Sequence, residues 1–469
     1  MSVGIIQIGQ CGNQIGLDIF NNLIEEMKNS SEYLCQLISD SYFTISKNYQ
    51  FQANSLLIDM ESKVIDKCIK ISEKNGWNYL KQNIIHKQSG SGNNWANGFF
   101  YHGPSVEKAF VETFSKFSEK FDFLDTCILI NSLAGGTGSG LGSYLAILMK
   151  DYFPEINLLN IAVWPNDSGE VVVNSYNTLL SICENYKVSD LITVINNQEI
   201  FDICKNIYKF KKIGFENLNS IISKHIINMI IPPSYDINTK IKDNIFKSKT
   251  YKTNSFLSEI IYSLGTNPKL KFNQIISTPE IPQENIQFTN DSWNSLAKRG
   301  LQMLRTGSNE SKIDWSYYNT NDKVNINSMI EIYRGRNIEN IVDDMNNSDI
   351  NNNINKSKGN NLYKGKNNAK FDNVVNMNDI SVLKKYCNEK NIKSYRYKDE
   401  HCINNYDKHL TLLANSNLYC SNIKKCLNKA YEMYEYNAFI HQYEKYGLKK
   451  DDFIDAFSFC EQIISDYNS

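Results

Sequence analysis

At about 150 residues per domain, a chain of 469 residues has room for two or three domains and a sizeable core, which excludes a mini-protein. Fifty Lys and Arg against 51 Asp and Glu leave a formal charge of -1, so no overall basic field favours nucleic acid or an anionic membrane as a partner. The start lacks the basic and apolar regions of a signal peptide and no uncharged apolar run reaches membrane-spanning length, so the chain reads as soluble and intracellular. None of the eleven cysteines forms a Cys-x-x-Cys pair and the six histidines are scattered, which predicts reduced thiols and no structural zinc.

From the N-terminus to about residue 205, short apolar runs alternate with helix-period segments, the pattern of a doubly wound α/β domain. Strands are expected at Val3 to Ile8, Ser55 to Asp59, Cys127 to Leu133 and Leu158 to Trp164. Helices are expected at Asn13 to Met27, Val106 to Phe121 and Gly142 to Phe153. Leu218, Ile221, Ile222, His225, Ile226, Met229 and Ile230 then define a strongly apolar helix closed by Pro232-Pro233, with His225 read as a satisfied core histidine rather than a ligand. Strand-like runs such as Met329 to Tyr333 suggest a second, mixed α/β domain over about 206–415. Inside it, an Asn-, Lys-, Ser- and Gly-rich stretch near 346–378 reads as an inserted mobile loop. Residues 416–469 read as a helical hairpin: one helix through Ile423, Leu427 and Ala430, a C-cap at Gly447, and a second helix N-capped by Asp451 or Asp452.

The most informative stretch is Ser132-Leu-Ala134-Gly135-Gly136-Thr137-Gly138-Ser139-Gly140, placed between a strand and a helix. Its glycines permit the positive φ values of an anion-binding nest, and the following helix adds its dipole, so phosphate is the natural ligand, against the alternative of a merely flexible turn. It lacks the lysine of a P-loop, and no register fits the Gly-x-Gly-x-x-Gly dinucleotide fingerprint, which speaks against a dinucleotide-dependent enzyme. A second turn, Gly9 to Gly16, follows the first strand, with Gln10 and Gln14 four residues apart. Asp59 and Glu61 lie on one side of an extended segment, as a hydrated Mg²⁺ beside phosphates needs, although surface acids would look the same. Gly90 to Trp95 is a further polar loop, and four loops at one sheet edge read as a nucleotide site.

Gly9-Gln-Cys-Gly-Asn-Gln14, Gly92-Asn-Asn-Trp95 and Ala134 to Gly140, in that order, resemble the tubulin superfamily over essentially the whole chain. Lys87 to Trp95, His102-Gly-Pro104, Trp164-Pro with Gly169-Glu-Val171, and Ala438 to Gly447 are most similar to its delta branch, as is the ending at Asp466-Tyr-Asn-Ser469 without a long acidic tail. The resemblance implies a GTP-binding N-terminal domain over 1–205, an intermediate domain and a C-terminal helical hairpin. It further implies phosphate contacts at Gln10, Ser132, Gly136, Thr137 and Gly138, a γ-phosphate loop at Asn93, and sugar and base contacts at Cys11 and Gln14. Asp59 and Glu61 match the magnesium side, and Glu170 a ribose-binding acid; Asn174 replaces a second ribose acid. Asn197 and Asn219 match guanine readers, and Phe215 a stacking ring. Glu259 aligns with the acid that acts on the nucleotide of a neighbouring subunit, the other reading being an exposed helix glutamate. The functional expectation is a cytoskeletal GTP-binding protein with slow, partner-dependent hydrolysis. Its partners would be other tubulins, microtubules and centriole or basal body proteins, and its location the cytoplasm, the centriole or basal body, and the cilium or flagellum. An ordinary lattice tubulin is the alternative within the family.

Overall fold

A computed structural model describes residues 2–46, 48–166, 172–233, 255–288, 291–315, 323–338 and 381–469. The Asn-rich stretch and Glu170 lie outside the described residues.

The strands in chain order are β1 (Ser2–Ile8), β2 (Phe43–Ile45), β3 (Phe51–Ala53), β4 (Ser55–Asp59), β5 (Trp77–Asn78), β6 (Ile84–His86), β7 (Leu124–Ser132), β8 (Asn157–Trp164), β9 (Leu191–Asn196), β10 (Phe272–Thr278), β11 (Ile326–Gly335), β12 (Lys393–Asp399) and β13 (Lys408–Ser416). Ten of them form one sheet in the order β12-β11-β13-β10-β9-β8-β7-β1-β4-β6, while β2, β3 and β5 make a small second sheet. From β10 to β6 all neighbours run parallel, and their near-continuous apolar runs are buried on both faces, as a parallel sheet covered by helices requires. After β1 the chain moves outward through β4 and β6, then returns to β7 on the other side. The order therefore reverses between β1 and β7, and the crevice at their carboxyl ends is where such sheets bind ligands.

The four predicted strands of the first part are present within a few residues, as are its three helices, at Gly9–Asn29, Gly103–Ser118 and Gly142–Tyr152. The helices Glu32–Tyr42 and Ser62–Lys74 were not expected. Ser31 caps the first, its Oγ accepting the Leu34 N–H at 3.3 Å, and buries Leu34 and Ile38. Among the described residues, the second part of the chain builds no separate sheet. β10 joins β9 through the pairs Phe272↔Ile192 and Asn273↔Thr193, so β10 to β13 extend the first sheet.

The apolar helix spans Phe215–Ile230 and packs along the first helix. His225 is buried there and its Nε2 meets Glu280 Oε1, the satisfied core histidine expected. The C-terminal helices Cys420–Glu435 and Lys450–Asn468 pack on helix Asn174–Val188 through an aromatic cluster including Tyr176, Tyr443, Phe453 and Phe457. Two details differ from expectation. The first of these helices ends at Glu435, and Gly447, at φ 105°, turns the chain after a separate short helix Ile440–Glu444. Lys449 rather than Asp451 or Asp452 occupies the N-cap of the last helix; Asp452 instead accepts the Lys449 N–H at 2.7 Å, while both acids face the positive helix end.

Candidate nucleotide site

The loops at the switch point are built for close approach. β1 turns directly into the first helix at Gly9 (φ 70°), so the expected turn over Gly9 to Gly16 is helix throughout. A side chain at Gly9 would sit 3.1 Å from the Gly138 nitrogen, which brings the turn after β1 against the turn after β7. Asn13, buried, fixes this junction by donating to Gly9 O at 2.9 Å and Ile58 O at 3.2 Å.

The glycines after β7 play another part than the one predicted. Gly135, Gly136, Gly138 and Gly140 are absent from the positive-φ residues, and Gly136 is right-handed at φ -79°. Three of them are needed for space: a Cβ at Gly136 would lie 2.6 Å from Ser91 Cβ, at Gly138 3.1 Å from the Ser132 nitrogen, and at Gly140 2.1 Å from Trp95 O. Nothing lies within 4 Å of a Cβ at Gly135, which faces open space beside the half-buried Ala134. Positive φ falls instead on Gly92 (56°) and Asn93 (53°) in the neighbouring loop. Thr137–Leu141 and Asn97–His102 are both π-helical turns, packed against each other, and wide turns of this kind recur at functional sites.

Side chains then lock the two loops together. Ser91 Oγ and Thr137 Oγ1 are 2.9 Å apart, Ser132 Oγ accepts the Ala134 N–H at 3.3 Å, Asn131 donates to Gly138 O at 2.9 Å, and Ser139 Oγ bonds Gly135 O. Asn177 donates to both Asn93 O and Ala134 O at 2.8 Å. Backbone N–H groups of Thr137–Leu141 therefore open a helix at the crevice, where the dipole favours an anion.

Around this glycine turn the predicted residues take distinct places. Gln10 is exposed and Cys11 half-buried on the first turn of helix Gly9–Asn29; burial pushes the Cys11 thiol up to about 12. One turn on, Gln14 Oε1 accepts from Asn219 Nδ2 at 3.3 Å, so two residues 205 apart in sequence share one end of the crevice. Phe215 opens the same helix as Asn219 and is 63% exposed, a bare ring beside that end. Asn196 caps helix Asn197–Asn206 by accepting the Gln198 N–H at 2.9 Å, and Asn197 is half-buried on the first turn of that helix. Asn174, first residue of its helix, has a buried Oδ1 with no partner among the described residues, an acceptor that a sugar hydroxyl would satisfy.

On the other side, Asp59 ends β4 with 4% exposure, its Oδ1 accepting the Glu61 N–H at 3.4 Å. Burial, with a smaller push from the Glu61 charge, raises its carboxyl to about 6. Glu61 is exposed and lies against Gly90, where a Cβ would meet its Oε1, so the acids border the Gly90 to Trp95 loop. Among the described residues no three or more His, Cys, Asp or Glu are grouped as a metal centre, so a cation here would draw its remaining ligands from phosphate and water.

Glu259 is not brought to these loops. Its helix, Phe256–Leu264, is bolted to the opposite, amino-terminal edge of the sheet: Asp125 Oδ2 in β7 accepts from Ser255 N and Ser258 Oγ, both at 2.8 Å, and Asn157 at the start of β8 donates to Ser258 Oγ at 3.1 Å. The length of β7, roughly 26 Å at strand rise, separates Glu259 from the glycine turn. Its Oε2 accepts from Tyr397 OH at 3.2 Å, and burial raises its carboxyl above the usual range.

The residues missed from sequence are the asparagines that hold the loops: Asn13, Asn131 and Asn177, each fully buried. For Asn131 the signal was an amide ending the apolar stretch Cys127-Ile-Leu-Ile, where only a hydrogen-bonding duty offsets burial, whereas Asn13 and Asn177 sit among small and polar residues and carry no such mark.

All eleven cysteines are free, and no described helix is long and apolar enough to cross a membrane. Residues 2–205 match the model of the Tubulin/FtsZ family GTPase domain. Over its whole length the chain is 28% identical to the tubulin delta chains of Macaca fascicularis and Homo sapiens, covering 99% of each, and over 59% of its length it is 29% identical to the tubulin epsilon chain of Mus musculus, covering 63% of that protein. The chain thus carries a Tubulin/FtsZ family GTPase domain over residues 2–205 and is similar to tubulin delta chains over its whole length.

Proposed function

We propose that the protein is a delta-type tubulin that acts in assembling centriole or basal body and axonemal microtubules, with GTP hydrolysis completed by a neighbouring subunit. The observation that carries the second half is the anchoring of the Glu259 helix to Asp125 near the amino end of β7, a strand length, about 26 Å, from the glycine turn that follows its carboxyl end. A carboxylate can orient or deprotonate the water that attacks a γ-phosphate, but one at the far edge of the sheet can serve only the nucleotide of another subunit stacked against that edge. Partners with this geometry are other tubulins, joined nucleotide edge to Glu259 edge. The first half rests on whole-length similarity to tubulin delta chains.

GTP would sit with its phosphates on Ala134 to Gly140, its sugar beside Cys11 and Asn174, and its base between Asn197, Asn219 and Phe215. Asp59 and Glu61 would hold Mg²⁺, and the desolvated Asp59 carboxyl fits a cation that restores its charge. Mg²⁺ neutralises developing phosphate charge when bound. Holding that cation, orienting the phosphates and reading the guanine edge are the work of the chain's own residues.

Tagged protein should colocalise with centrioles, basal bodies and axonemes rather than with singlet microtubules; even incorporation along singlets would favour an ordinary lattice tubulin. Glu259→Ala should keep GTP binding and slow turnover under assembly conditions. Equal turnover of variant and wild type removes Glu259 from the reaction.

A further inference from the structure

We infer that Tyr443, in the outer helical layer, is a positioning residue for the loop facing the terminal phosphate, acting through Asn177. This inference rests on the GTP reading of the crevice. Asn177 is fully buried and uses its whole hydrogen-bonding capacity: Nδ2 donates to Asn93 O and Ala134 O at 2.8 Å, and Oδ1 accepts from Trp95 N at 3.0 Å and from Tyr443 OH at 2.7 Å. Two carbonyl partners on one side fix which end is NH₂, so Tyr443 must be the donor on the other. One side chain thereby joins the Gly92 to Trp95 loop, the glycine turn and the C-terminal hairpin.

The Tyr443 end is held as firmly. Its ring is fully buried, edge-on to Tyr176 at 5.7 Å and Phe453 at 5.3 Å. Its short helix, Ile440–Glu444, begins after Phe439 at φ 61°, an unfavourable left-handed conformation for a bulky residue, with Asn437 at 52° just before. A second tie runs beside the first, Asn94 Nδ2 donating to Gln442 O at 3.1 Å. A buried bond from Tyr443 and a part-buried one from Gln442 thus tie the hairpin to the loop that Glu61 borders through Gly90, the side where a metal would meet the last phosphate.

A phosphate that orders the Asn93 loop also orders Asn177 and its Tyr443 bond, and by linkage the hairpin segment 436–446 biases binding of that phosphate. GDP, lacking the group that loop faces, would feel the tie little.

The test compares full-length wild type with Tyr443→Phe, which keeps the ring packing and deletes the hydroxyl. By competition with a fluorescent guanine nucleotide, the variant should bind GTP about fivefold or more weakly, on the scale of one lost buried hydrogen bond, with GDP affinity unchanged. Hydrogen exchange of the wild type should show slower exchange over 436–446 with GTP than with GDP, a readout that does not depend on the variant folding. If wild type binds neither nucleotide, the GTP reading itself falls. If wild type binds both, then equal changes for GTP and GDP in the variant, no change in either, or identical exchange in the two nucleotide states overturns the role of Tyr443.

Discussion

Asp59→Asn should stabilise the magnesium-free protein while impairing its magnesium-dependent nucleotide binding. Asp59 is 4% exposed and its carboxyl is pushed up to about 6, chiefly by burial, with backbone N–H groups of Met60 and Glu61 opposing that push. A free aspartate titrates near 3.9, so keeping this one ionised in the fold costs about 3 kcal/mol at neutral pH. The folded value is raised: stability associated with the neutral acid is fully present below about pH 4 and is lost as pH rises through about 6. Asparagine is neutral throughout and its Oδ1 can keep the Glu61 N–H. Urea unfolding of the full chain in EDTA should therefore give matching stabilities near pH 4 and an advantage of about 3 kcal/mol for the variant at pH 7.5. With excess Mg²⁺ and GTP the order should reverse, since the carboxylate then has a cation. A variant less stable than wild type in EDTA at pH 7.5, or a pH-independent difference, would refute the reasoning.

Asn197→Ala should weaken GTP by roughly 5- to 150-fold in nucleotide exchange assays, the cost of one lost buried partner, whereas Asn196→Ala should cost about 1 kcal/mol of stability through its lost helix cap and leave the base edge readable. Gly140→Ala forces a Cβ to 2.1 Å from Trp95 O and should destabilise the fold by about 1–3 kcal/mol or more and lower GTP affinity; Gly135→Ala meets nothing within 4 Å and should unfold in denaturant like wild type. The half-buried Cys11, its thiol raised to about 12, should resist alkylation at pH 7.5 by intact-mass analysis, and rapid labelling would contradict that raised value.

Much of the fold was legible because its signals are local. The parallel strands are unbroken apolar runs, and helix Phe215–Ile230 repeats its apolar positions at helical spacing. Helix Ser62–Lys74 was harder to see, since it buries only Ile65, Cys68 and Ser72 and turns lysines outward. Continuity of the sheet was not legible at all. It depends on the short β9–β10 pairing, and whether two apolar strands lie in one sheet or two is decided by packing between distant segments, here sealed by Phe272 N–H donating to Tyr467 OH at 2.7 Å.

The site was legible to the same rule. Glycine marked the phosphate turn, but composition alone could not say whether glycine is needed for its φ or for its missing side chain. At Gly136 and Gly140 the answer is the missing side chain, because loops from three strands crowd the crevice, while the left-handed backbone went to Gly92 and Asn93. Asn177 carries no motif, since its four bonds reach residues 43 to 266 positions away. In sequence it is one polar residue among several in Asn174-Ser-Tyr-Asn177-Thr178, yet its burial would cost about 1–3 kcal/mol were it unpaired. An unexplained amide on a buried helix face is therefore a pointer to where loops are being held, and here it leads from the phosphate cradle to the outer hairpin.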